Sequence, residues 1–168
     1  MIEINFPAVL LSALIPLLVG MIYYHPKVFG TIWMKSAGVS PDAAKNTNMM
    51  IVFTKMILVS IPLAFVVQFL VIHQFHFFSM LANDPTIATP GSPTNVFFTE
   101  TMAKYGMEFR TFKHGAFHGA FSGFLLALPI ITINSLFENK NWKYVLVHTF
   151  YWIIVLGLMG GVVSAFPL

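Results

Sequence analysis

Residues 144–166 read YVLVHTFYWIIVLGLMGGVVSAF, and no Asp, Glu, Lys or Arg interrupts them. An α-helix rises 1.5 Å per residue, so about 20 such residues cross the roughly 30 Å hydrocarbon core of a bilayer. A run this long, apolar on every side, predicts a transmembrane helix and not one face of a soluble core. Three similar stretches lie upstream, at about 6–24, 50–78 and 114–136. The second is longer than one crossing needs, which predicts a tilt, a bend near Pro62 or a protruding end. The expected fold class is therefore all-α: a polytopic membrane protein forming one domain over residues 1–168, its four transmembrane helices in a bundle with a longer loop between the second and third.

Composition agrees. Hydrophobic residues make up 57% of the chain and charged residues 9%, with a mean hydropathy of +0.79. Soluble domains carry about 25% charge because their surfaces face water; this chain has too little charge for such a surface, so lipid is its expected solvent. A formal charge of +3 gives no reason to expect nucleic acid as a partner. The absence of cysteine excludes disulfides, thiolate metal sites and cysteine nucleophiles. The first apolar run has no basic residue before it and ends in Tyr23-Tyr24-His25-Pro26, where a cleaved signal would need small residues. It is expected to stay as a helix.

The connecting segments carry their own signals. Tyr23, Tyr24, Trp33, Trp142 and Tyr144 flank the span ends, where amphipathic rings favour the headgroup layer. Ser40-Pro41 reads as a helix start in the first loop. In the second loop, Pro85, Pro90, Gly91 and Pro93 predict irregular chain over 83–95. The mixture of aromatics, Met and charge over 96–112 predicts a short amphipathic helix on the membrane surface, with Gly106 arguing against it near its end. Lysines favour the cytoplasmic side. The first and third loops hold Lys27, Lys35, Lys45, Lys140 and Lys143, with Lys55 just inside the second span, against Lys104, Arg110 and Lys113 in the second loop. Both chain ends are thus expected outside.

Gly115, Gly119 and Gly123 recur every four residues and Ala127 extends the stripe, in the manner of a glycine zipper. Small side chains on one face let another helix backbone approach, replacing a hydrophobic force that lipid cannot supply. Gly157 and Gly161, with the offset pair Gly160 and Ser164, offer a matching face on the fourth span. The contact expected is between the third and fourth helices of one subunit, with contact between subunits as the alternative.

Histidines are the residues that could carry chemistry. His73 and His76, three apart, fall near the outer end of the second span, and His114 and His118, four apart on one helix face, begin the third at the same depth. Four imidazoles could converge there on a metal, with Glu100 or Glu108 adding a carboxylate, or two of them could bind haem axially. The opposing reading is that histidine simply suits an interface. Gln68, deep in the second span, is expected to bond across to another helix. No acidic residue lies mid-membrane, which disfavours ion-coupled transport. Neither G-x-S-x-G nor G-x-x-x-x-G-K-[ST] occurs.

Gly20-x-x-Tyr23-Tyr24-His25-Pro26-x-x-Phe29-Gly30-x-x-Trp33-Met34 resembles the end of the first span in the family called domain of unknown function 1761. The second half is similar as well, in His114-Gly115, Gly119, Leu128-Pro129, Asn134-x-x-Phe137-Glu138, Tyr151-Trp152 and Gly160. The sequence departs from the pattern at Tyr23, where Trp is expected, and at His25, where Ser is expected. The resemblance implies a small four-helix protein of the bacterial inner membrane and names no activity. Read physically, Tyr24, Pro26, Phe29, Gly30 and Trp33 form an interface motif: Pro26 ends a helix, Gly30 permits a bend, and Phe29 and Trp33 anchor the next turn at the headgroups.

Three functions follow from these features. The first is a structural or accessory subunit that packs in lipid with itself or with another membrane protein. The second is an oligomeric channel or exporter for a small solute, with Gln68, Ser60, Asn134 and Thr132 as its polar wall. The third is a metal- or haem-binding membrane enzyme built on the outer histidines. The first needs no cofactor and no catalytic residue.

Overall fold

The computed structural model describes residues 4–40, 42 and 47–166, and among these it contains helices and no strand. Four helical segments are long and apolar enough to cross a membrane: Phe6–Tyr23, Met49–Val71, Phe112–Phe137 and Trp142–Ala165. The helix start expected at Ser40-Pro41 runs into residues outside the described set.

The first span comprises α1 (Phe6–Ala13) and α2 (Ile15–Tyr23), divided at Leu14. Pro16 explains the division, because it has no N–H to give to the carbonyl four residues before it. Asn5 caps α1 by accepting from the Ala8 N–H, and its amide donates to the Phe166 carbonyl at 2.7 Å, so the first and fourth spans end side by side. Beyond Tyr24 the chain makes one wide π turn over Pro26–Gly30 and continues as α3 (Thr31–Ala37). Gly30 is needed there for space, its φ of −59° being ordinary for a helix. A Cβ at Gly30 would lie 2.2 Å from the Tyr24 carbonyl oxygen.

The second span is α4 (Met49–Val71), which passes through Pro62 without ending. The break comes at Ile72, whose φ of −107° and ψ of 103° are extended, and α5 (His73–Leu81) sets off again from there. The stretch 50–78 is thus two helices, and of the three ways of accommodating its extra length, a bend at Pro62 is not the one used: the break lies ten residues beyond it. No glycine or proline stands at the break. It is held from outside: Gln74 donates to the carbonyls of Tyr105 and Glu108, while His76 bonds back to the Phe69 carbonyl at the end of α4.

Turns occupy most of 83–92, and α6 (Pro93–Tyr105) begins with Ser92 accepting from the Asn95 N–H and with Pro93 in the first turn, where its missing N–H costs nothing. The helix expected over 96–112 therefore starts earlier and stops at Gly106. The third span joins α7 (Phe112–Ser122), a π turn over Gly123–Ala127 and α8 (Leu128–Phe137). Its widened turn precedes Pro129, which again removes a ladder donor. The fourth span, α9 (Trp142–Ala165), is unbroken.

That last helix is the axis of the bundle. Its most apolar window is 56% buried, against 11% for the third span, and α1, α2, α4 and α7 all pack on it. Val155, Met159 and Val163 along it are fully enclosed. Lipid is as apolar as these side chains, so fit and close approach must hold the helices together. The glycines provide that approach. A Cβ at Gly115 would lie 2.2 Å from the Gly160 carbonyl oxygen, and one at Gly119 would lie 2.0 Å from that of Leu156. Gly123 rests on Ile153 and Ala127 is buried. The facing row is thus Leu156, Gly160 and Ser164; Gly157 meets Ala120 less closely, and Gly161 takes the ring of Phe112. The stripe is used inside one subunit.

Candidate metal centre

At the end of the bundle shared by Asn5 and Phe166, three histidines meet. His73 opens α5 directly after the Ile72 break, and without that break its side chain would continue around the α4 axis. His114 and His118 rise from successive turns of α7, whose start is fixed by Thr111 accepting from the His114 N–H. One ring nitrogen from each of the three lies within 4.8 Å of the others. The Nε2 atoms of His73 and His114 are 2.9 Å apart, a hydrogen bond in which one imidazole donates and the other accepts. Ring centroids are separated by 5.1 Å for His73 with His114, 5.1 Å for His73 with His118 and 4.5 Å for His114 with His118.

These distances suit a small ion. Two imidazole nitrogens on a tetrahedral metal at 2.0–2.1 Å stand about 3.3 Å from each other. The His73–His114 pair is already slightly inside that distance, and the full set lies within 4.8 Å. Partial burial of the His73 ring, then the nearness of His118 and His76, pushes its pKa below the ordinary histidine value and favours the neutral, ligating form.

The site has a lid that the sequence did not announce. Phe109 lies in the left-handed region at φ 62°, unusual for a residue with a side chain. Its ring stacks on His114 at 4.8 Å and meets the edge of His73 at 6.0 Å. The strained turn is tied to the end of α9: Arg110 Nε donates to the Ser164 carbonyl, and the Ser164 hydroxyl donates to the Phe109 carbonyl. A shallow recess of about 500 Å³ opens beside the group, and Glu108 lies in its wall.

His76 does not join the other three. Its Nε2 is 2.8 Å from the Phe69 carbonyl, so it caps a broken helix end and points away. Glu100 and Glu108 are not in the group either. Gln68, expected to bond across helices, is fully buried, and its Nε2 makes no hydrogen bond within the described protein.

The interface motif gathers at the opposite end of the bundle, where Tyr23 and Tyr24 turn inward onto α9. Tyr23 donates to the Val147 carbonyl at 2.8 Å, Tyr151 donates to the Pro16 carbonyl at 2.9 Å, and the Tyr24 hydroxyl meets His148 Nδ1 at 3.1 Å. Phe29 packs on Tyr23 and Trp33 on Tyr24. The motif therefore seals the elbow after the first span against α9.

No curated protein and no solved structure is significantly similar to the chain. The residues that carried the resemblance fall on the elbow, the third span and the central helix, and the family model described as "Protein of unknown function (DUF1761)" matches residues 7–164, nearly the whole length, so the chain belongs to that family.

Proposed function

We propose that this is a multi-pass protein of the bacterial inner membrane that binds one divalent first-row metal ion through His73, His114 and His118. The observation that carries the reading is the convergence of three ring nitrogens within 4.8 Å, from α7 and from the helix that starts at the Ile72 break. Three protein ligands leave a fourth position for water or substrate, the arrangement that lets a metal polarise an oxygen or acidify a bound water. The rings stand too close to one another to take a haem between any two of them. The lysine excess in the first and third loops supports placing this end, and both chain ends, on the periplasmic side.

The test is metal analysis of the purified protein, stripped with a chelator and reloaded with zinc. One ion per chain in the parent and none in the His114→Ala, His118→Ala double variant is the expected result. A folded parent that takes up no zinc ends the metal reading.

A packing or accessory role remains as a second reading, favoured by the outer face of the third span. Phe117, Phe121 and Phe124 are exposed there, while the glycine face is already occupied by α9. Native mass spectrometry from gently extracted membranes tests it, and a partner at defined stoichiometry would establish it. The channel reading has less support: Ser60 and Gln68 are buried, and Thr132 spends its hydroxyl on the Leu128 carbonyl.

A further inference from the structure

The recess beside the histidines has a shape and a position that define what would occupy it. It is bounded by α5, α6 and the turn that carries Phe109, and its walls include His73, Phe77, Met102, Tyr105, Glu108 and Phe109. Its volume of about 500 Å³ falls in the range of small-molecule pockets, roughly 300–1,000 Å³. Gln74 also borders it, but its amide is committed to the Tyr105 and Glu108 carbonyls and acts as a strut. An occupant therefore meets apolar side chains along most of its length and polar groups mainly at His73, Thr101 and Glu108.

Depth narrows the choice. His73 follows the last residue of the second span, Val71, by two positions, and Phe109 precedes the first residue of the third, Phe112, by three. These span ends support placing the recess at the height where acyl chains give way to headgroups, beside α6. A water-soluble polar solute would leave its apolar walls unmatched. A chain-bearing molecule from the adjoining leaflet would match them.

We propose that the recess binds a single-chain amphiphile drawn from the bilayer. Its tail lies between α5 and α6, and its oxygen-donor headgroup reaches the open fourth position of the metal. His73 and Phe109 belong to both the recess wall and the histidine group, so tail site and metal site share a boundary. This inference rests on the metal reading above, and the experiment separates the two.

The protein in dimyristoyl phosphatidylcholine nanodiscs is loaded with cobalt(II), whose visible absorption reports its coordination. Acetohydroxamate and dodecanohydroxamate, which share a metal-binding head and differ in tail, are then titrated. The long probe is expected to bind at least ten times more tightly than the short one. Met102→Trp or Thr101→Trp, in a variant that keeps the parent cobalt spectrum, should fill the recess. Most of that advantage should then vanish while acetohydroxamate affinity stays the same. Partition of the long probe into lipid is common to parent and variant and cancels in the comparison. An advantage that survives both tryptophans would overturn the proposal, as would two probes of equal affinity in the parent. Failure to take up cobalt, seen before any hydroxamate is added, would overturn the metal reading and this inference with it.

Discussion

Each end of the bundle holds a cluster of aromatic and histidine side chains, and the two are built differently. At the elbow end, the hydroxyls of Tyr23 and Tyr151 reach backbone carbonyls of other helices, and Tyr24 reaches His148. The groups are spent on holding α2 and α3 against α9. At the other end, three imidazoles face one another, beside a recess and beneath a strained phenylalanine. Polar groups that end on carbonyls are joints, whereas the three imidazoles turn their ring nitrogens toward one another, the convergence on which the proposed metal site rests. Histidine content alone would not distinguish the clusters; the partners do.

The most damaging test strikes what connects the two ends. Gly119→Leu places a side chain where the Leu156 carbonyl already is, and neither backbone can yield, so folded protein recovered from the membrane should be nearly lost. Gly157→Ala, whose new methyl would lie 3.3 Å from Ala120, should leave most of it. Next comes the histidine end. The His114→Ala, His118→Ala variant should bind no zinc yet melt, without metal, within a few degrees of the metal-free parent. A large fall in melting temperature would make that end a joint as well.

The converse variants belong to the elbow. Tyr151→Phe and Tyr24→Phe should each lower stability by about 1 kcal/mol, the net worth of one hydrogen bond, and leave zinc stoichiometry at the parent value. His76→Ala should behave like the tyrosine variants despite being a histidine, because it caps a carbonyl. Thermal unfolding and metal analysis of the same samples distinguish the outcomes. Loss of zinc in His76→Ala would mean that the two Gln74 bonds do not by themselves hold the break that positions His73.

The smallest effect is a pH dependence of the turns between α5 and α6. Asp84 accepts from the Thr86 N–H and hydroxyl and from the Thr94 hydroxyl, which tie the loop to the start of α6. The Thr86 and Thr94 hydroxyls lower its pKa from the ordinary 3.8. The stabilisation is therefore fully present above about that pH and disappears as pH falls through the lower folded value. Amide exchange at Thr86 should accelerate only in that acid range, and an onset near neutrality would mean that another group holds the loop.

How much of this was legible in the sequence depended on how local its cause was. The spans follow from runs of apolar residues, and the pairing of His114 with His118 follows from helix geometry, so both could be read directly. The Ile72 break has no breaker residue; it arises from Gln74 and His76 finding carbonyls elsewhere, and its consequence is that His73 enters the group while His76 leaves it. The glycine face of the third span was plain, and of the two rows the fourth span offered, the one through Gly160 and Ser164, extended by Leu156, is the row used, while Gly157 and Gly161 stand beside it. One residue is about 100° of a helix, and a span apolar all round gives no pattern by which to choose. Phe109 carried no signal, since a left-handed turn is ordinarily marked by glycine or asparagine.

The central position of α9 has a consequence for biogenesis. It is the last of the four spans to leave the ribosome, yet the one around which the other three are arranged. The first three segments therefore enter the bilayer before the helix that their other contact faces meet, with only the contacts of α4 with α1, α2 and α7 to join them. Assembly completes only when Trp142–Ala165 arrives, so a ribosome that stalls before it leaves three helices without the one that supplies most of the enclosed residues.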